Sequence, residues 1–204
     1  GNTEDLQDKH FQNYIRNTVR KGRKMKRMIL ASGSPRRKEL LQMLEVPFEV
    51  LVSDTKEVIT KNEPAEVTKE LSYQKAMAVA EQVEEGIIIG ADTVVSIDGK
   101  ILGKPADTEE AREMIYKLQG KSHMVYTGVT VIAKSGDMVS ASSFAEGTKV
   151  NVAPMTENEI EAYISTDEPY DKAGAYGIQG LFGKFIEGIK GDYFNVVGLP
   201  VHRL

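Results

Sequence analysis

The stretch "RMILASGSPRRKELLQMLEV", Arg27 to Val46, decides the fold class. "RMILAS" is a short apolar run that suits a buried strand, and "SPRRKELLQMLEV" sets Leu40, Leu41 and Leu44 on one helical face. Between them, Ser34 suits a helix N-cap and Pro35 the first helical position. A strand running into a helix through Ser-Gly-Ser-Pro leaves unpaired backbone N–H groups at the positive end of the helix dipole, which is an anion site. Arg36 and Arg37 sit in that first turn, where positive charge costs a helix roughly 0.3 to 1 kcal/mol. Local stability therefore does not explain them. A bound polyanion does, because guanidinium forks and backbone amides match phosphate oxygens. The competing reading is solvation, or pairing with Glu39 or another carboxylate.

Outward from this unit the chain keeps alternating between strand-like and helix-like segments. "PFEVLVS" reads as a strand, and "PAEVTKELSYQKAMAVAEQV" as a long helix with Val67, Leu71, Ala78 and Val79 inward. "GIIIGADTVVSIDGKILGKP" reads as strands folded over Asp98-Gly99, a pair suited to a type I′ turn. "DTEEAREMIYKLQG" offers Asp107 and Glu110 as a capping box and Gly120 as a stop. Residues 123–153 read as a pair of long strands, "TENEIEAYIST" as a capped helix, and "FGKFIEGIKGDYFNVVGLP" as a further hairpin. The expected fold is α/β: a mixed twisted sheet with flanking helices, in two lobes around a central cleft.

A chain of 204 residues with 41% hydrophobic content can bury a sizeable core. Its net charge of -4 argues against a protein that coats duplex nucleic acid, so nucleic acid is not expected as a partner. No apolar run approaches the roughly 20 residues of a membrane span, and no signal-peptide pattern is visible. The absence of cysteine excludes thiol chemistry and makes the cytoplasm the default compartment. Residues 1–27 read as a flexible basic extension or an expression remnant, helical over Phe11 to Val19 and ending in Arg16, Arg20, Lys21, Arg23, Lys24, Lys26 and Arg27. The folded domain is expected over 28–204.

Three further windows carry chemistry. "IIIGADTVV" embeds Asp92 in a very apolar strand pattern, where burial is costly unless the carboxylate is paired, hydrogen-bonded or coordinating a cation. A local turn aspartate after Gly90 is the plainer reading. Glu57, with Asp54 as its rival, offers a second carboxylate for a Mg²⁺ site shared with phosphate oxygens. Lys104, between Gly103 and Pro105, can project into a cleft as a compact charge. The glycine-rich run Asp171 to Gly180 permits close approach of a ligand, and Gln179 within it offers both donors and acceptors.

These windows resemble the Maf proteins, a family of nucleoside triphosphate pyrophosphatases also called septum formation inhibitors. The matching pieces are "LASGSPRRKELL", "GADTVV", "GKPAD", "LQGKSHMVYTGV", "DEPYDKAGAYGIQG" and "GDYFNVVGLP", in order from Met28 to Pro200. Paired arginines after the proline, threonine after "GAD" and the run "AYGIQG" are similar to the dTTP/UTP branch rather than the 7-methyl-GTP branch. The resemblance implies hydrolysis between the α and β phosphates, with a divalent cation, Mg²⁺ or Mn²⁺, and a homodimer. It implies that Ser32, Arg36 and Arg37 bind phosphate, that Lys75 and Lys104 are catalytic lysines, and that Asp92 accepts a proton. Glu57 is its implied acidic partner, Asp92 and Glu57 the implied metal ligands, and Arg36, Thr93 and Gln179 the positions tied to base preference. The chain stops at Leu204, where such relatives continue into a final helix, so residues are expected to be missing there. Two alternatives from the same residues are a regulatory binder with a vestigial site, and the same chemistry on a modified purine triphosphate.

Overall fold

The computed structural model describes residues 27–204, so the helix expected over 11–19 and the basic residues before Arg27 lie outside the described residues. Arg27 itself pairs with Glu49. The described strands are β1 (Met28–Leu30), β2 (Glu49–Val50), β3 (Glu85–Ile97), β4 (Lys100–Leu102), β5 (Ser122–Ser135), β6 (Met138–Val152) and β7 (Ile186–Lys190). The helices are α1 (Pro35–Gln42), α2 (Pro64–Ala80), α3 (Thr108–Leu118), α4 (Glu157–Ile164) and α5 (Tyr193–Val197). All strands join one mixed sheet of order β2-β1-β3-β5-β6-β7, with β4 paired to β3. β1 runs parallel to both β2 and β3, which is possible because α1 and α2 carry the chain back between them. The remaining pairs are antiparallel. The β3–β4 turn has positive φ at both Asp98 (50°) and Gly99 (75°), the backbone of the expected type I′ hairpin.

Alternation along β1 and β3 separates two cores. Ile29 and Ile88 face Ala76, Val79 and Ala80 of α2, whereas Leu30 and Ile89 face Leu40 and Leu41 of α1. A third core lies beyond, where Val95 and Ile97 of β3 pack with Ile115 and Leu118 of α3, Ile160 of α4 and Phe182. Ala91 belongs to the α1 core and Val95 to the α3 core. Asp92 and Thr93 fall at the change between them, and this is where the cleft opens.

Glycine decides how closely α2 lies on the sheet. A Cβ on Gly128 would stand 2.3 Å from the Thr68 carbonyl, and one on Gly90 would stand 2.4 Å from the Ser72 oxygen. The seam is closed by a buried 2.8 Å hydroxyl contact between Ser72 of α2 and Thr130 of β5. Lys75, one turn beyond Ser72, is thereby carried over Asp92.

Four readings of the sequence need correction. "PFEVLVS" contributes only the two residues of β2 to the sheet. The inward residue of α2 is Ala76 rather than Ala78, because the helix also turns Thr68 and Ser72 to the sheet. Glu110 completes its half of the cap on the N–H of Ala106, not on that of Asp107. The last segment is not a hairpin: β7 pairs with β6, and the chain then enters α5, capped by the Asp192 carboxylate accepting from Phe194 and Asn195.

Candidate active site

The cleft has a volume of about 600 Å³, and all nine residues singled out in the sequence line it: Ser32, Arg36, Arg37, Glu57, Lys75, Asp92, Thr93, Lys104 and Gln179. The start of α1 supplies one wall. Ser34 caps the helix by accepting from the Arg37 N–H at 3.4 Å, and Pro35 occupies the first turn. Neither arginine pairs with Glu39. Arg37 donates from Nε to the Gly198 carbonyl at 2.8 Å, from Nη1 to Ser32 Oγ at 3.3 Å and from Nη2 to Thr93 Oγ1 at 3.0 Å. Burial lowers its pKa, an effect that Asp92 opposes and Arg36 reinforces. Arg36 makes no hydrogen bond or ion pair among the described residues, although its charge lowers the pKa of Asp171, which is held down chiefly by its bond to Lys172.

The floor of the cleft is β3. Asp92 is only 9% exposed. Its Oδ1 accepts from Lys75 Nζ at 2.6 Å, while its Oδ2 is buried and has no hydrogen-bond partner. The same Lys75 ammonium reaches Glu57 Oε1 at 3.3 Å. Asp54, its rival, also lines the cleft but makes no such pair. Among the described residues no cluster of three or more His, Cys, Asp or Glu could cage a metal. Two carboxylates bridged by a lysine, one with an unsatisfied oxygen, instead fit a hard cation that takes its remaining oxygens from phosphate and water.

The opposite wall is the run Asp171 to Gly180. Gly174 turns with φ of +70° directly over Val95, where a Cβ would come within 2.7 Å. Tyr176 then enters the core and meets His123 Nε2 at 2.5 Å. Burial raises the Tyr176 pKa and drops that of His123 to about 4, so the pair is neutral. Gln179 and Lys104 stand exposed at the rim with no hydrogen bond or ion pair among the described residues.

The model of the Maf-like protein family matches residues 27–204. The chain belongs to the Maf family. A protein of Bacillus cytotoxicus named dTTP/UTP pyrophosphatase is 54% identical over 181 residues, covering 88% of this chain and 93% of that protein. One of Bacillus cereus with the same name is 52% identical over 188 residues, covering 91% of each. Among solved structures, the Staphylococcus aureus Ham1 protein aligns over 63% of this chain and 72% of its own, with a TM-score of 0.47 and 15% identity.

Sequence reasoning missed several residues that shape this Maf cleft. Gln74 lines it and holds the backbone of Val58, with Nε2 to the carbonyl at 2.7 Å and Oε1 from the N–H at 3.0 Å. Thr127 and Asn195 lie beneath Thr93 and are fully buried. Thr127 carried a signal: it interrupts the inward row Val125, Thr127, Val129 with a hydroxyl.

Proposed function

We propose that this chain is a nucleoside triphosphate pyrophosphatase that hydrolyses dTTP and UTP between the α and β phosphates, giving the nucleoside monophosphate and pyrophosphate. The observation that carries the reading is a nearly buried aspartate, locked at one oxygen by Lys75 and unpaired at the other, in a cleft ringed by Arg36, Arg37 and Lys104. The relatives named dTTP/UTP pyrophosphatase support the substrate class.

Asp92 and Glu57 would hold Mg²⁺ or Mn²⁺ together with phosphate oxygens, and a bound cation would neutralise phosphate charge and draw electrons from phosphorus. Asp92 accepts the proton of the attacking water, with Lys75 fixing the orientation of its carboxylate. Arg37 receives the charge that develops on the pyrophosphate leaving group, and Arg36 and Lys104 hold the triphosphate against it. Ser32 and the free N–H of Arg36 in the first turn of α1 add donors for phosphate oxygens. Thr93 and Gln179 are assigned to base preference, and the homodimer belongs to the same reading, to be checked by light scattering in solution.

The test is a panel of dTTP, UTP, CTP, ATP, GTP and methylated nucleotides with Mg²⁺ or Mn²⁺, assayed for pyrophosphate and for orthophosphate. Pyrophosphate from dTTP and UTP is expected, with turnover reduced about a thousandfold in Asp92→Asn. Orthophosphate as the first product would mean a different bond is cleaved. Near-normal turnover in a folded Asp92→Asn protein would remove the proton-acceptor role.

A further inference from the structure

Beneath Thr93 lies a chain of hydroxyl groups whose direction can be read from donor counting. Thr127 Oγ1 is 2.9 Å from the backbone oxygen of Asn195, which can only accept, so the single hydroxyl hydrogen of Thr127 is used there. Thr127 Oγ1 is also 2.8 Å from Thr93 Oγ1. With the Thr127 hydrogen already engaged, Thr93 must be the donor in that contact. Thr93 then receives Nη2–H of Arg37 at 3.0 Å, since a guanidinium never accepts. Arg37, Thr93, Thr127 and the Asn195 carbonyl therefore form a one-way relay from cation to peptide oxygen.

The far end of the relay is held through Asn195, whose side-chain Oδ1 is buried without a partner while its other polar groups are bonded. Asn195 Nδ2 donates to the Val125 carbonyl at 3.2 Å and to Thr148 Oγ1 at 3.0 Å. Thr148 in turn donates to the Asp192 carbonyl at 2.9 Å, and the Asp192 carboxylate accepts from the Asn195 N–H at 3.3 Å. Thr127, Thr148 and Asn195 are completely buried. At the near end, three protein acceptors take one hydrogen each from Nε, Nη1 and Nη2 of Arg37. One N–H on each terminal nitrogen is left for a ligand.

We propose that Thr127 is a positioning residue of this site: it fixes Thr93 as an acceptor and thereby holds the Arg37 guanidinium in one orientation towards the cleft. The inference rests on the reading of the cleft as a triphosphate site, and it adds a constraint to that reading. Thr93 has no hydrogen to offer a substrate, so it cannot bind a phosphate oxygen and can meet a nucleotide only at an N–H or O–H. Phosphate contact at this point of the cleft falls to Arg37.

Four variants test the relay through steady-state release of pyrophosphate from dTTP. Thr127→Val is expected to lower kcat/KM about tenfold, mainly in kcat, because the cation still binds but is no longer fixed. Thr127→Ser, which keeps the hydroxyl, should retain most of the activity. On a Thr93→Val background Thr127→Val should add nothing, whereas an equal loss on both backgrounds would reduce Thr127 to a structural role and overturn the proposal. An independent reading comes from the Arg37 side-chain N–H signals in nitrogen–proton NMR spectra, assigned with Arg37→Lys. Separate, slowly exchanging Nη signals that merge in Thr127→Val are expected, and merged signals already in the parent protein would overturn the relay. Separate signals in a protein that releases pyrophosphate from no nucleotide would uphold the relay and remove only the pyrophosphatase reading.

Discussion

Asp92 and Arg37 are held by the fold before any substrate arrives, the first by Lys75 and the second by Gly198, Ser32 and Thr93. Arg36, Lys104 and Gln179, lining the same cleft, make no hydrogen bond or ion pair among the described residues. The held set grows from β3 and the capped start of α1, whereas Lys104 and Gln179 belong to connections outside the sheet. Dipoles and charges already in place act on developing charge without reorganising at the moment of reaction. Long side chains that must close on a ligand lose rotamer freedom as they do so and act mainly on binding. On the proposed function, the difference gives chemistry to the held groups and capture to the unpaired ones.

The sharpest way to break that division is to make the same exchange at neighbouring positions. Arg37→Lys replaces a fork with a point charge that cannot satisfy Gly198, Ser32 and Thr93 together, so kcat/KM should fall about a hundredfold. Arg36→Lys keeps a charge at a half-buried position that has no protein partner among the described residues, and should lower kcat/KM only about fivefold, in KM. Equal losses at the two positions, measured by pyrophosphate release, would dissolve the distinction.

The run that carries Gln179 rests in part on the buried His123–Tyr176 pair. His123 is 2% exposed, its Nδ1 is unpaired, and burial depresses its pKa from 6.5 to about 4. The unfolded chain therefore binds this proton between pH 6.5 and 4 while the folded chain resists it. The stability contribution is complete above the unfolded value and is lost as pH falls towards the folded one. Between pH 7.5 and 5 the protein should lose about 2 kcal/mol of unfolding free energy from this group. Urea titrations across that interval check it, and a His123→Phe variant should show a much flatter profile. The lowered carboxyl pKa values of Glu70, Glu159 and Glu161 act mainly below that window.

What was legible in the sequence follows the same division. The strand-to-helix unit at residues 28–42 announces itself locally, through an apolar run, a capping serine and an N-terminal proline, and it forms with one difference: α1 stops at Gln42, so Leu44 packs on the core from beyond the helix end. Asp92 stands out because a carboxylate contradicts the strand around it. α5 was misread as part of a hairpin because its five residues have little helical signal of their own; Asp192 caps it and the buried amide of Asn195 ties it to β5 and β6. The network below Thr93 joins positions 37, 93, 127 and 195, which no local pattern connects. Its one trace in the sequence is a threonine in an inward row of valines.

Glu57 lies between the two classes, and Gln74 determines on which side it falls. The residues from Leu51 to Asn62 form no helix or strand, and Glu57 is exposed among them. What fixes the segment is α2: Gln74 clasps both backbone groups of Val58, and the Glu70 carboxylate accepts from the Thr60 N–H at 3.0 Å and the Thr60 hydroxyl at 2.5 Å. These side chains occupy positions four apart on one helical face, so they strap the segment at two points one turn apart. Lys75, next to Gln74, then meets Glu57 at 3.3 Å. If Glu57 serves as a partner of the divalent cation, Gln74→Leu should raise the half-saturating Mg²⁺ concentration about tenfold, the order expected when the support of a metal-binding carboxylate is removed. Turnover at saturating Mg²⁺ should change little, because Asp92, Lys75 and Arg37 are untouched. A fall in saturated turnover with unaltered metal dependence would instead place Glu57 with the held groups, acting through Lys75 on the orientation of Asp92.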